Sequence, residues 1–104
     1  MDRQDLLTRI KTRLEAVYGD RLRGVVLYGS EARGDAGPDS DIDVLVLLIG
    51  PVAFGKELRT IIDALYPLQL EVFRPLDATP VDVSVYEAGE FALYRNVRRE
   101  GIFA

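Results

Sequence analysis

Residues Leu27 to Leu48 read LYGSEARGDAGPDSDIDVLVLL, and the fold turns on how this stretch is parsed. An apolar run, Gly24 to Tyr28, ends inside it and reads as a short buried strand. Gly29-Ser30 then opens a single helical turn, SEARG, and a loop rich in Gly, Pro, Asp and Ser follows from Gly34 to Ser40. Asp41 to Leu48 is a second strand, stopped by Gly50-Pro51. Two strands therefore flank a Gly-Ser bend, with a pair of aspartates at the mouth of the second strand.

Upstream, Asp5 to Tyr18 places Leu6, Leu7, Ile10, Leu14, Val17 and Tyr18 at helical spacing, and Gly19 ends that helix. Downstream, Ala53 to Leu65 carries Leu58, Ile61, Ile62 and Leu65 on one face, which predicts a second helix ending near Pro67. Pro75 and Pro80 restrict Leu68 to Val81 to an edge strand or an irregular extended run. Asp82 or Ser84 caps a last helix, from about Tyr86 to Glu100, that stops at Gly101. This alternation predicts an α/β (α+β) domain, residues 1–104, with a small mixed sheet of three to four strands packed by helices.

Composition narrows the chemistry. A chain of 104 residues, 48% hydrophobic, has room for one core and is too apolar for disorder. Thirteen basic against 17 acidic side chains give a net charge of -4, which argues against a nonspecific nucleic-acid or membrane binder. Without cysteine there is neither a disulfide nor a thiolate–zinc site, and the chain suits a reducing cytosol. Without histidine, the usual general base and transition-metal ligand are missing, so any metal takes oxygen ligands, as magnesium, manganese and calcium do. The N-terminus reads as amphipathic rather than as a signal peptide, and Val44 to Ile49 is far too short for a membrane span.

Asp41 and Asp43 stand two apart on a strand, so their carboxylates share a face, roughly 7 Å apart along the chain. Such like charges repel unless something positive lies between them. The bland alternative makes Asp41 a turn cap and Asp43 a solvated side chain. Asp43, however, sits between Ile42 and Val44 at the head of VLVLL, where an uncompensated carboxylate is costly to bury. The Gly29-Ser30 turn offers backbone N–H groups and a hydroxyl to an anion, and glycine lets a phosphate approach the backbone. Joined to an Asp-x-Asp strand, it suggests one element holding phosphate oxygens and another holding a bridging dication.

LYGSEARGDAGPDSDIDVLV resembles the signature of the DNA polymerase β-type nucleotidyltransferase superfamily, in which Gly-Ser is followed after a short loop by Asp-x-Asp. The small size, the GSEARG spelling and the ending YRNVRREGI are similar to the minimal nucleotidyltransferase (MNT) branch. The resemblance implies a polymerase β-like nucleotidyltransferase fold and a nucleotide bound through Mg²⁺, with Gly29 and Ser30 on the phosphates and Asp41 and Asp43 on the metal. Many members of that branch are antitoxins paired with a helical HEPN ribonuclease toxin, and some transfer AMP from ATP to a tyrosine of that toxin.

The family pattern also includes a third carboxylate on a later strand. Asp82 in PVDVSVY fits the local pattern, because valines flank it; Asp77 in PLDATPV fits the family's spacing to the final helix, and leaves Asp82 as that helix's N-cap. Asp77 is preferred as a third catalytic and metal residue, with Asp82 as the alternative. Arg33, one turn beyond Ser30, reaches toward phosphate or partner, or is simply solvated. Glu31 and Asp35 are expected in solvent. Arg95, Arg98 and Arg99 form a basic cluster better explained by the helix dipole than by RNA contact.

These readings predict a cytoplasmic, Mg²⁺-dependent nucleotidyltransferase that moves AMP from ATP to a hydroxyl of a partner protein, with a HEPN-type toxin as the leading partner and the chain as its antitoxin. A chain this small has little material left for an acceptor-binding domain, a second reason to expect a partner. Two alternatives stand beside it: a toxin-binding module that keeps the fold without catalysis, and an aminoglycoside-type small-molecule nucleotidyltransferase subunit.

Overall fold

The computed structural model describes all residues, Met1–Ala104. Helix α1 (Arg3–Tyr18) leads through a 3-10 turn into strand β1 (Leu22–Tyr28) and a five-residue helix α2 (Gly29–Arg33). Strand β2 (Ile42–Leu48), helix α3 (Phe54–Gln69) and strand β3 (Leu76–Asp82) follow, then helices α4 (Val83–Ala88) and α5 (Ala92–Glu100) and a short strand β4 (Ile102–Phe103).

The four strands form one sheet in the order β3-β2-β1-β4. β1 is antiparallel to β2 and to β4, while β3 runs parallel to β2, so the sheet is mixed as expected. Strand alternation divides the core in two. Val25, Leu27, Ile42, Val44, Val46, Leu48 and Ala78 pack against Leu6, Leu7, Ile10 and Leu14 of α1 and Ile61, Leu65 and Leu68 of α3. Val26, Leu45, Leu47 and Val81 face the other way, toward Tyr86 of α4 and Val97 of α5. Because β2 is buried on both faces, it reads as an unbroken apolar run, and Asp43 is the one charge set into it.

Several expected boundaries move. α3 continues through Pro67 to Gln69 rather than stopping before it. Pro67 and Asp63, whose carbonyl loses its donor there, are both exposed, so that carbonyl is not left buried without a partner. The extra turn carries Leu68 into the core. The expected last helix is two helices, because Gly89 takes φ +67 and closes α4 with a left-handed residue. Arg95 and Arg98 do not serve their own helix end: they donate to the carbonyls of Gly89, Glu90 and Glu87, where α4 stops. Val17 and Ile62, expected on core faces, are exposed.

β3 is an edge strand, and its prolines sit where an edge tolerates them. Pro75 O accepts from Ile42 N at 2.8 Å, so the next residue's N–H points away from β2; Leu76 N instead donates to Gln69 Oε1 at 2.7 Å. Strand alternation puts the nitrogen of Pro80 on that same outward side, where no ladder bond is lost and none is offered to an added strand.

Candidate active site

The parallel register of β2 and β3 sets Asp43 directly beside Asp77. The antiparallel register of β1 and β2 sets Tyr28 opposite Asp43. All three belong to the face that carries the smaller core cluster, at its open end. Burial raises the carboxyl of Asp43, and the negative charges of Asp77 and then Asp41 raise it further. Tyr28 is raised in the same way, by burial first and then by Asp43 and Asp77. The phenol therefore stays protonated and remains a hydrogen-bond donor beside the carboxylates.

The Gly-Ser bend closes on the same place. Gly29 has φ +71, a left-handed conformation that costs a side chain about 1–2 kcal/mol. A Cβ built there would lie 2.6 Å from Asp43 Oδ2. The glycine thus answers two demands at once, the turn out of β1 and the close approach of backbone to carboxylate. Gly29→Ala is expected to push the Asp43 side chain aside, leaving the protein folded but lowering activity about 10²-fold, as a misplaced reacting group does. Thermal melts beside single-turnover rates check this, and an active Gly29→Ala protein would show that the approach is unimportant.

Asp41 lies exposed just before β2, near enough to act on Asp43 electrostatically. The loop holding it is tied down by Arg74, whose Nε donates to Ser40 O at 2.8 Å. The same guanidinium pairs through Nη1 with Glu31 Oε2 at 2.7 Å, both side chains largely buried. Arg74 therefore fastens helix α2, and with it Ser30, to the approach of the aspartate strand. Glu31 was expected in solvent; it is instead half of this clasp. No local pattern in the sequence announced Arg74, since its partners lie more than 30 positions away. Asp35 is exposed as expected, and Arg33 is exposed with a long 3.4 Å contact to it.

Asp82 lies at the far end of β3, in register with Leu48. Its carboxylate accepts from Ser84 N at 2.9 Å and from Ser84 Oγ at 2.7 Å, capping α4, and those bonds lower its pKa. The structure brings Asp43, Asp77, Asp41, Gly29 and Ser30 to one end of the sheet and leaves Asp82 at the other.

A dication fits the donor set in part. Hard carboxylate oxygens, a strand-paired Asp43 and Asp77 that repel each other, and a glycine cradle beside them suit an oxygen-loving ion and its phosphates. The carboxylates do not converge into a finished three-ligand cage. A nucleotide's own phosphate oxygens complete the shell in sites that bind magnesium by one or two carboxylates.

A family model for the nucleotidyltransferase domain matches residues 7–103, nearly the whole chain. The chain belongs to the nucleotidyltransferase domain family. A candidate protein adenylyltransferase of Methanocaldococcus jannaschii is 28% identical over 102 residues, 97% of this chain and 96% of its own length. A second candidate protein adenylyltransferase of that archaeon is 39% identical over 44 residues, covering 42% of this chain and less than half, 44%, of the relative. The solved structure of a candidate nucleotidyltransferase from Sulfolobus solfataricus superposes with a TM-score of 0.50 at 25% identity, over 96% of this chain and 79% of that one. No helix here is long and apolar enough to cross a membrane.

Proposed function

We propose that this nucleotidyltransferase transfers AMP from ATP to a hydroxyl of a partner protein, in the cytoplasm, with Mg²⁺ as its metal. The observation that carries the reading is the strand pair of Asp43 with Asp77, with Asp43 set close against Gly29 of the Gly29-Ser30 bend. The resemblance to two candidate protein adenylyltransferases supports the acceptor class.

In this reading Asp41, Asp43 and Asp77 would hold the metal, which would supply charge neutralisation to the triphosphate. Ser30 and the backbone N–H groups of the bend hold the phosphate oxygens of the departing pyrophosphate. Asp77, on the edge strand and exposed, stands nearest the solvent side from which an acceptor approaches and takes the hydroxyl proton. With no histidine in the chain, a carboxylate is the available base. Attack of the acceptor oxygen on the α-phosphorus forms the new P–O bond, breaks the bond to pyrophosphate and leaves an AMP ester. Arg33, half-exposed one turn beyond Ser30, serves the phosphates or the partner surface. The acceptor is a helical HEPN-type toxin, and modification is how the chain acts as an antitoxin.

A second reading, a toxin-binding module without catalysis, draws on the unfinished metal cage. Incubation with the product of the adjacent gene, labelled ATP and Mg²⁺ separates the two. The expected result is a gain of one AMP on the partner. Neutralisation that survives in an Asp41→Ala/Asp43→Ala variant, with no label from wild type, favours the binding module. Label on an aminoglycoside without any partner favours a small-molecule enzyme.

A further inference from the structure

One exposed flank of α3 is apolar where a solvent-facing helix is normally polar. Phe54, Leu58, Ile62, Tyr66 and Leu70 follow one another at four-residue steps, and all but the half-buried Leu58 are exposed; Ile62 and Tyr66 each keep 57% of their surface open. They run as a ridge along one flank of the helix, next to the core residues Ile61 and Leu65, and Ile62 and Tyr66 also line a small hollow against Leu76 and Ala78 of β3. Beside the ridge lies a hollow lined by Gly55, Leu58, Arg59, Ile62 and Asp63, of about 380 Å³. It exists because Gly55 contributes no side chain, and nothing else occupies the space above it.

We infer that this face binds the same face of a second copy of the chain, through a two-fold axis passing near Ile62. Three observations select this occupant. A four-step ridge is self-complementary, because two such ridges interdigitate when two helices cross antiparallel at about 50°. About Ile62 the two-fold sets Tyr66 of each copy, four residues to one side, against Leu58 of the other, four residues to the opposite side. That is where the hollow beside Gly55 lies, an open depression with room for the exposed phenol ring.

The charges agree with the same axis. Arg59 and Asp63 flank the ridge with opposite signs, one turn apart, and neither takes part in an ion pair within its own chain. An antiparallel second copy brings each Arg59 toward the other's Asp63, twice by symmetry. A parallel or unrelated arrangement loses that match.

Strand addition at the neighbouring edge is a poorer route to a dimer, since Gln69 takes the Leu76 N–H and Pro80 offers none.

The test is the mass of the full chain in solution across a concentration series, by sedimentation or light scattering. Wild type is expected to be a dimer. Ile62→Asp, at an exposed position that leaves the core intact, is expected to weaken dimerisation at least about 30-fold, as loss of a central anchor does. Arg59→Asp is expected to weaken it by like-charge repulsion, and Arg59→Asp/Asp63→Arg to restore it. Thermal melts establish that each variant is folded. A wild-type monomer throughout, a dimer indifferent to Ile62→Asp, or a double exchange that fails to restore the dimer each overturns the inference. A wild-type monomer whose α3 face is protected only by the acceptor protein assigns the face to that partner instead.

Discussion

Asp43→Asn is expected to reduce nucleotidyl transfer by about 10³-fold or more if Asp43 holds the metal as proposed, since a metal-holding carboxylate supplies several kcal/mol of transition-state stabilisation. The substitution keeps the shape of the side chain and its strand register, and removes only charge. Asp43 is the most strongly placed of the three candidate carboxylates. It lies against the Gly29 backbone and pairs with Asp77, and Tyr28 stands across the ladder. Single-turnover transfer of labelled AMP, with partner binding measured alongside, is the check. A variant that binds partner normally and still modifies it at the wild-type rate would remove Asp43 from the mechanism.

The same substitution has an opposite effect on stability. The folded state raises the Asp43 carboxyl above its ordinary value of 3.8, so the native protein holds that proton more tightly than the unfolded chain does. Stability from this group is present below the ordinary value and is lost as pH rises through the raised one. Above that raised value the ionised, half-buried Asp43 is therefore a burden on the metal-free protein. Asp43→Asn, without divalent cation, is expected to melt at or above the wild-type temperature near neutral pH. The gap should narrow as pH falls toward the ordinary carboxylate range. Mg²⁺ with nucleotide should raise the melting temperature of wild type and not of the variant. A residue that costs stability and is rescued by ligand has the energetic profile of a binding site.

Much of this end of the sheet was legible because its signals are local. Unbroken apolar runs marked β1 and β2, and an aspartate set into the second run is costly to bury without a partner. The prolines of β3 pointed to an edge strand or an irregular extended run, and β3 is an edge strand. What local reading missed depends on distant partners. β4 is two residues long and exists only because the chain end returns to pair with Val26 and Leu27. The Arg74–Glu31 clasp joins segments that have no pattern in common. Ile62 was assigned inward because apolar residues at helical spacing normally are; here the apolar positions outnumber those the core can cover. Gly89 carried a signal that was passed over, since a glycine between an acidic residue pair is a poor helix interior.

Glu57 is the largest departure from pattern, and its removal is the largest expected loss of stability. It occupies the inward face of α3, only 3% exposed, among residues otherwise apolar. Arg21 reaches it from the turn before β1, with Nη2 2.7 Å from Glu57 Oε2, and Tyr18 Oη donates to Oε1 at 3.1 Å. Arg21 also donates to the carbonyls of Ile49 and Pro51, so one guanidinium joins the ends of α1, β2 and α3. The hydrogen bond from Arg21, with that from Tyr18, holds the Glu57 carboxyl below its ordinary value of 4.5 despite burial. Burial and the nearby Glu57 push the Tyr18 phenol up to about 12, so it remains a donor throughout the usable pH range. Glu57→Ala leaves a cavity and a partly buried guanidinium without its anion, a loss of about 3 kcal/mol when such a pair is broken. For a domain of this size that lowers the melting temperature by roughly 10–20 °C. Because the folded value is depressed, the stabilisation is present above the ordinary value and is lost as pH falls through the depressed one. The gap between wild type and Glu57→Ala should therefore be full at neutral pH and should shrink in acid. Arg21→Met/Glu57→Leu, which replaces both charges with apolar groups of similar volume, should recover most of the loss. If the single and double variants melt alike, the charge pair contributes nothing beyond packing and this account of Glu57 fails.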